Sequence, residues 1–132
     1  MIEGRNFARA GRASTEIKSI LKQLGIDAMT IRRVAIASYE AEMNVVMYAT
    51  RAVMTFEVTP KNISIIVNDE GPGIPDIDLA MQEGYSTATQ EMREMGFGAG
   101  MGLPNIKRNA NDLKIDSKVG KGTRLEITIH IN

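Results

Sequence analysis

A chain of 132 residues that is 43% hydrophobic and 24% charged has the apolar content for one self-sufficient core and lies far from the composition of disordered chains. Its 16 Lys+Arg balance 16 Asp+Glu, which removes the long-range attraction to polyphosphate that a nucleic-acid binder carries, so any anion site must be local. The absence of cysteine excludes disulfide scaffolds, thiolate metal sites and thiol nucleophiles, and no apolar run approaches membrane-spanning length. One domain over residues 1–132, in the cytoplasm and without nucleic-acid or membrane partners, is the expectation.

The first residues, Ile2-Glu3-Gly4-Arg5, match a protease recognition sequence used in expression vectors and lack the features of a signal peptide, so they read as a remnant without function. Ile17, Ile20, Leu21 and Leu24 recur at helical spacing with Gly25 as a stop, which predicts an amphipathic surface helix over roughly 13–24. Asp27 or Thr30 can cap a second helix running to about residue 49, apolar nearly all round from Val34 to Met47 and therefore buried on most sides. The β-rich runs Ala52 to Thr59 and Asn62 to Asn68, separated by Pro60-Lys61, predict an antiparallel hairpin.

Gly71-Pro72-Gly73 breaks the chain, a short helix is expected around Ile77–Glu83, and a Gly/Met-rich stretch from Gly84 to Gly102 shows no period. Pro104 suits the first turn of a helix ending near Asn109; Leu113–Lys118 and Thr123–Ile131 read as strands around Gly120-Lys121-Gly122. The order α-α-β-β-α-loop-α-β-β predicts an α+β fold, a two-layer sandwich whose mixed, mostly antiparallel sheet is covered on one face by helices.

Glu40 and Asn44, four apart on a helix, project from one face. A carboxylate so placed can act as a general base and a carboxamide oxygen can bind Mg²⁺; the same spacing also describes a solvated polar edge. Asn68 to Ile74 follows a strongly apolar strand. Asp69 there can accept a hydrogen bond from an exocyclic amine such as adenine's, while glycines let backbone approach the flat base; a plain polar turn is the alternative. Gly96 to Gly102, ahead of Leu103-Pro104-Asn105, places Cβ-free backbone at a helix N-terminus, where phosphate is bound by free N–H groups and the helix dipole; a flexible linker is the alternative. Its spacing is neither the P-loop nor the Rossmann pattern. His130, the only histidine, reads as an edge-strand surface residue without a role, and Arg32, Arg33, Glu91, Arg93 and Glu94 as solvated charge.

Together, Glu40-Ala41-Glu42-Met43-Asn44, Asp69-Glu70-Gly71-Pro72-Gly73-Ile74, Gly98-Ala99-Gly100-Met101-Gly102-Leu103-Pro104 and Gly122-Thr123 resemble, in order, the N, G1, G2 and terminal Gly-Thr boxes of the Bergerat ATPases, the fold shared by sensor histidine kinases, DNA gyrase and anti-sigma-factor serine kinases. Gly84-Tyr85-Ser86-Thr87, Lys107-Arg108 and the run from Ile115 to Thr123 make the resemblance nearest to the anti-sigma-factor serine kinases, especially those of the bacterial stress-response switch. It implies ATP and Mg²⁺ as ligands, with ADP as product. Asp69 would bind the adenine amine assisted by Thr123, Gly71, Gly73 and Ile74 would shape the base pocket, and Gly98, Ala99, Gly100, Met101, Gly102 and Leu103 would wrap the phosphates. Asn44 would hold Mg²⁺, and Glu40 would take the proton of an attacking serine or threonine hydroxyl. Residues 84–101 would form the ATP lid, lengthened by the insertion Ala88 to Met95, and Tyr39 stands where sensor kinases often carry histidine.

The leading functional expectation is a protein kinase that phosphorylates a STAS-domain (anti-sigma-antagonist-like) partner, with a sigma factor as a further partner and a homodimer through the sheet as the family's assembly. The alternatives are a non-catalytic, ATP-gated protein-binding module and, last, a sensor-kinase catalytic fragment acting in trans.

Overall fold

In the computed structural model, which describes residues 2–4, 10–74, 77, 81 and 102–131, the first long element is helix α1 (Arg12–Gln23), followed by α2 (Ala28–Tyr48). Of the two residues able to start α2, Asp27 is the cap: it stays extended and its carboxylate accepts the Thr30 N–H at 3.0 Å and the Thr30 hydroxyl at 2.7 Å. As its composition requires, α2 is buried on most sides, from Thr30 and Val34 to Val46. Helix α1 buries Ile17 and Leu21 but leaves Ile20 and Leu24 exposed, so only half of its apolar stripe enters the core.

Strands β2 (Arg51–Val58) and β3 (Asn62–Glu70) form the expected antiparallel hairpin, closed by Thr59, whose hydroxyl accepts the Asn62 N–H at 3.0 Å. Helix α3 (Gly102–Asn109) starts two residues earlier than Pro104, which leaves the proline in the first turn, where no intrahelical N–H bond is lost. Strands β4 (Asp112–Lys118) and β5 (Gly122–His130), with the short β1 (Ile2–Glu3), complete a sheet of order β1-β2-β3-β5-β4, every pairing of which is antiparallel among the described residues. Of the short helix expected around residues 77–83, the described part is one turn-spaced hydrogen bond, from the Met81 N–H to the Ile77 carbonyl at 3.0 Å.

One feature goes beyond the sequence expectations and one expectation fails. Ile2–Glu3, given no function from the sequence, nevertheless forms strand β1: it pairs with Ala52 and Arg51, and Ile2 is buried. Two residues are too short for any periodicity to reveal, and the strand exists because the β2 edge offers it partners. His130 is exposed as expected, but its strand β5 lies between β3 and β4 and is no edge. Sequence adjacency does not reveal that β5 inserts beside β3.

Alternation along the sheet puts Ile63, Ile65, Val67, Leu125, Ile127 and Ile129 on the face that the helices cover, and all are buried. They pack with Leu21, Val34, Val45, Val46 and Ile106 into the core between the two layers. The opposite face carries Thr55, Glu57, Arg124 and His130, all exposed. Arg33 is not simply solvated: its guanidinium donates to the Asn109 carbonyl at 3.1 Å and to Asn111 Oδ1 at 2.7 Å, tying α2 to the end of α3.

Candidate functional site

The last turns of α2, the end of β3 and the start of α3 meet where the sequence places its motifs. Strand β3 continues past Asn68, so Asp69 and Glu70 are strand residues opposite Ala52 and Arg51. Strand alternation then separates these adjacent acids. Glu70 is exposed and paired with Arg51 at 2.7 Å, whereas Asp69 shares the helix-covered face with Val67 and accepts the Thr123 N–H on Oδ1 at 3.0 Å. Oδ2 accepts no hydrogen bond from the described residues. Partial burial raises the Asp69 pKa above the usual carboxylate value, and the Thr123 N–H offsets part of that rise.

A hydroxyl pair stands behind Thr123. Ser117, directly across from it in the β4–β5 ladder, lies 2.8 Å from it, Oγ to Oγ1, and accepts the Ile74 N–H at 2.7 Å. Ser117 thereby fastens the turn after β3 to the strand pair that carries Thr123. Two backbone bonds reinforce the join, Gly71 N–H to the Lys121 carbonyl at 3.1 Å and Gly120 N–H to the Pro72 carbonyl at 2.8 Å. The turn admits no side chain at Gly73, where φ is +76° and a Cβ would run into the Lys118 carbonyl. At Gly71 a Cβ would come within 3.0 Å of the Ala49 Cα, so the C-terminal end of α2 packs directly on this turn.

Glu40 and Asn44 lie on one face of α2 against the N-terminus of α3. A Cβ on Gly102 would lie 3.1 Å from Asn44 Oδ1 and 3.6 Å from Glu40 Oε2, so the first turn of α3 abuts both side chains. Asn105, one turn into α3, donates its amide to Glu40 Oε1 at 3.2 Å. Burial raises the Glu40 pKa, and this hydrogen bond draws it partly back. The result is a half-buried carboxylate of raised basicity beside a carboxamide with no hydrogen bond to a described residue, both facing the positive end of a helix dipole.

The structure therefore brings together Glu40, Asn44, Gly102 and Leu103 at the α2–α3 contact, and Asp69, Gly71, Gly73, Ile74 and Thr123 at the β3–β5 end. Gly98, Ala99, Gly100 and Met101, the lid 84–101 and its charges lie outside the described residues. Sequence reasoning singled out neither Asn105 nor Ser117 as a site residue. Asn105 follows Glu40 by 65 positions and has only its place in the first turn of α3 as a signal. It also passed over Glu42, whose buried carboxylate accepts the N–H groups of Gly11 at 3.1 Å, Ala13 at 3.2 Å and Ser14 at 3.1 Å and so caps α1 from a neighbouring helix. The odd feature that could have flagged it is an acid among the apolar residues of α2.

This fold and site define a family. Residues 29–132 match the family of histidine kinase-, DNA gyrase B- and HSP90-like ATPases, and the chain belongs to it. Among its relatives, the serine/threonine-protein kinase RsbT of Bacillus subtilis is 32% identical over 113 residues, covering 83% of this chain and 79% of the relative. The anti-sigma F factor of Caldanaerobacter subterraneus subsp. tengcongensis is 31% identical over 134 positions, covering 98% and 87%. The fold is also that of the mycobacterial sensor histidine kinase MprB, with a TM-score of 0.58 at 17% identity over 77% of this chain and 72% of the other.

Proposed function

We propose that this chain is an ATP-binding serine/threonine protein kinase of the anti-sigma-factor switch type, which transfers the γ-phosphate of MgATP to a STAS-domain partner. The observation that carries the reading is Glu40: a half-buried carboxylate with a raised pKa, against the N-terminus of α3 and one helical turn from Asn44. The relatives named as a serine/threonine-protein kinase and as anti-sigma factors support it.

The donor set fits the nucleotide. Asp69 Oδ2, without a partner among the described residues, would accept from the adenine amine, and Thr123 stands beside it. Gly71, Gly73 and Ile74 supply a turn pinned against Ala49 and Lys118, which would form the wall beside the base. Gly102 and Leu103 open the helix that would face the phosphates, with Gly98, Ala99, Gly100 and Met101 preceding them in the chain. Asn44 Oδ1 is a hard oxygen donor, in keeping with Mg²⁺ sites that use few protein ligands and draw the rest from phosphate. Bound there, the ion would neutralise charge on the phosphate oxygens.

In the transfer, the partner's hydroxyl oxygen bonds to the γ-phosphorus, the bond from that phosphorus to the bridging oxygen of ADP breaks, and the hydroxyl proton passes to Glu40. The chain's own work is to position and orient, with the raised pKa of Glu40 making it a better proton acceptor. Cytoplasmic residence fits this reading, and among the described residues no helix is long and apolar enough to cross a membrane. A homodimer through the sheet belongs to the same reading and is tested by light scattering.

One observation favours a second reading, an ATP-gated binding module: Glu40 is held by Asn105 rather than free. Transfer of labelled γ-phosphate from MgATP to a STAS-domain protein encoded beside this chain's gene separates the two. Transfer lost in Glu40→Ala while ATP still binds supports the kinase; ATP binding without transfer by the unaltered chain supports the module for that partner. No ATP binding at all removes both.

A further inference from the structure

On the outer side of the helical layer, α1 and α2 diverge around a groove of about 580 Å³ lined by Lys18, Lys22, Ile26, Ile31, Arg32 and Ile36. Its floor is aliphatic. Among the described residues the ionisable groups on its walls are all cationic, Lys18 and Lys22 from α1 and Arg32 from α2. The acid nearest in sequence, Asp27, is engaged in capping α2 through both carboxylate oxygens. Because the whole chain carries no net charge, this cationic rim is a local feature and not a general basicity.

The groove and the proposed base share helix α2. Arg32, Ile36 and Glu40 stand at successive four-residue steps of α2 and so form one ridge, which places Arg32 about 12 Å along the helix from Glu40 at 1.5 Å per residue. Met29 and Tyr39 on the same helix are 71% and 42% exposed, which adds apolar surface at either end of the ridge. A protein lying over this ridge would have Glu40 at one end of its contact surface.

We propose that the α1–α2 groove docks the phosphoacceptor protein through an acidic, amphipathic segment, its apolar residues on Ile26, Ile31 and Ile36 and its carboxylates on Lys18, Lys22 and Arg32. The proposal rests on the kinase reading for its orientation toward Glu40. An aliphatic floor with a cationic rim selects such a segment over a nucleic-acid strand, which offers no apolar side chains, and the groove is the surface that gives a substrate a defined approach.

The test uses the full chain and the STAS-domain protein as the probe. Lys18→Glu/Lys22→Glu/Arg32→Glu, with the milder Lys18→Gln/Lys22→Gln/Arg32→Gln as a second variant, is compared with the unaltered chain in phosphotransfer and in calorimetric binding with a non-hydrolysable MgATP analogue. Circular dichroism checks the fold. The expected result at low salt is a KM for the protein substrate raised about tenfold or more, kcat and ATP affinity within about twofold, and a gap that narrows as salt shortens the Debye length to ~8 Å.

An unchanged KM in folded variants overturns the docking site and leaves the kinase reading standing. If the unaltered chain transfers no phosphate, the kinase reading fails for that partner, and the calorimetry decides the groove: binding weakened in both variants supports it, whereas equal binding, or none by the unaltered chain, overturns it. Variants that bind the protein normally but no longer sediment with phosphatidylserine vesicles at 0.15 M salt would overturn it in favour of a membrane surface.

Discussion

Asp69→Asn sets stability against function at a single atom pair. The substitution keeps the shape of the side chain and one oxygen to accept the Thr123 N–H now held at 3.0 Å. It replaces the open Oδ2 by an NH₂ group, which cannot accept from the adenine amine and opposes it with a second donor. A hydrogen bond to a charged group contributes roughly 1.5–3 kcal/mol, so ATP should bind about ten- to 150-fold more weakly. Folding should respond the other way. Burial raises the Asp69 pKa above its unfolded value, so the stability tied to this proton is fully present below the unfolded pKa and is lost as pH rises through the folded one. At neutral pH the ionised group therefore costs stability, and the neutral amide should melt no lower than the parent. Fluorescent-nucleotide titration and thermal melts at pH 5 and pH 7.5 measure both. ATP affinity within twofold of the parent would refute the role of Oδ2, and a melting temperature several degrees lower at pH 7.5 would refute the account of burial.

If Glu40 is the base, phosphotransfer should rise with pH through an inflection above the ordinary glutamate value, because only the carboxylate accepts a proton. Asn105→Ala removes the hydrogen bond that favours the charged form, so a pH–rate profile should show that limb moved to higher pH; a move to lower pH contradicts the geometry. Gly73→Ala must hold a side chain at φ +76° against the Lys118 carbonyl, for which the backbone conformation alone costs ~1–2 kcal/mol. Equilibrium denaturation should report at least that loss, together with weakened ATP binding. Glu42→Ala strips three N–H groups at the start of α1 of their shared acceptor. At ~0.5–2 kcal/mol for a lost cap and more for a buried one, it should cost about 2–3 kcal/mol, with Glu42→Gln intermediate; an unchanged denaturation midpoint would count against the cap.

Periodicity carried the two long helices, because α1 presents Ile17 and Leu21 to one side and α2 is apolar on nearly every side. Alternation and turn residues carried the β2–β3 hairpin and the β4–β5 pair, and Asp27 was legible as one of two possible caps, the choice over Thr30 falling to the structure. The candidate site was legible as four separate segments, three of them by local chemistry, an acid and an amide one turn apart, an acid after an apolar strand and glycines before a helix, and the fourth, Gly122-Thr123, only through the family resemblance. Contacts between residues distant in the chain leave no such trace. Strand β1 depends on the free edge of β2, the interior position of β5 depends on its pairing with β3, and the functions of Glu42, Asn105 and Ser117 depend on hydrogen-bond partners 28 to 65 positions away or on a facing strand. Hydrophobic pattern and capping act over one or two turns and are written in sequence order. Which acid faces the helices, which one ion-pairs at the surface, and which amide holds Glu40 were decided when the layers packed, because burial and hydrogen-bond satisfaction are properties of the assembled core.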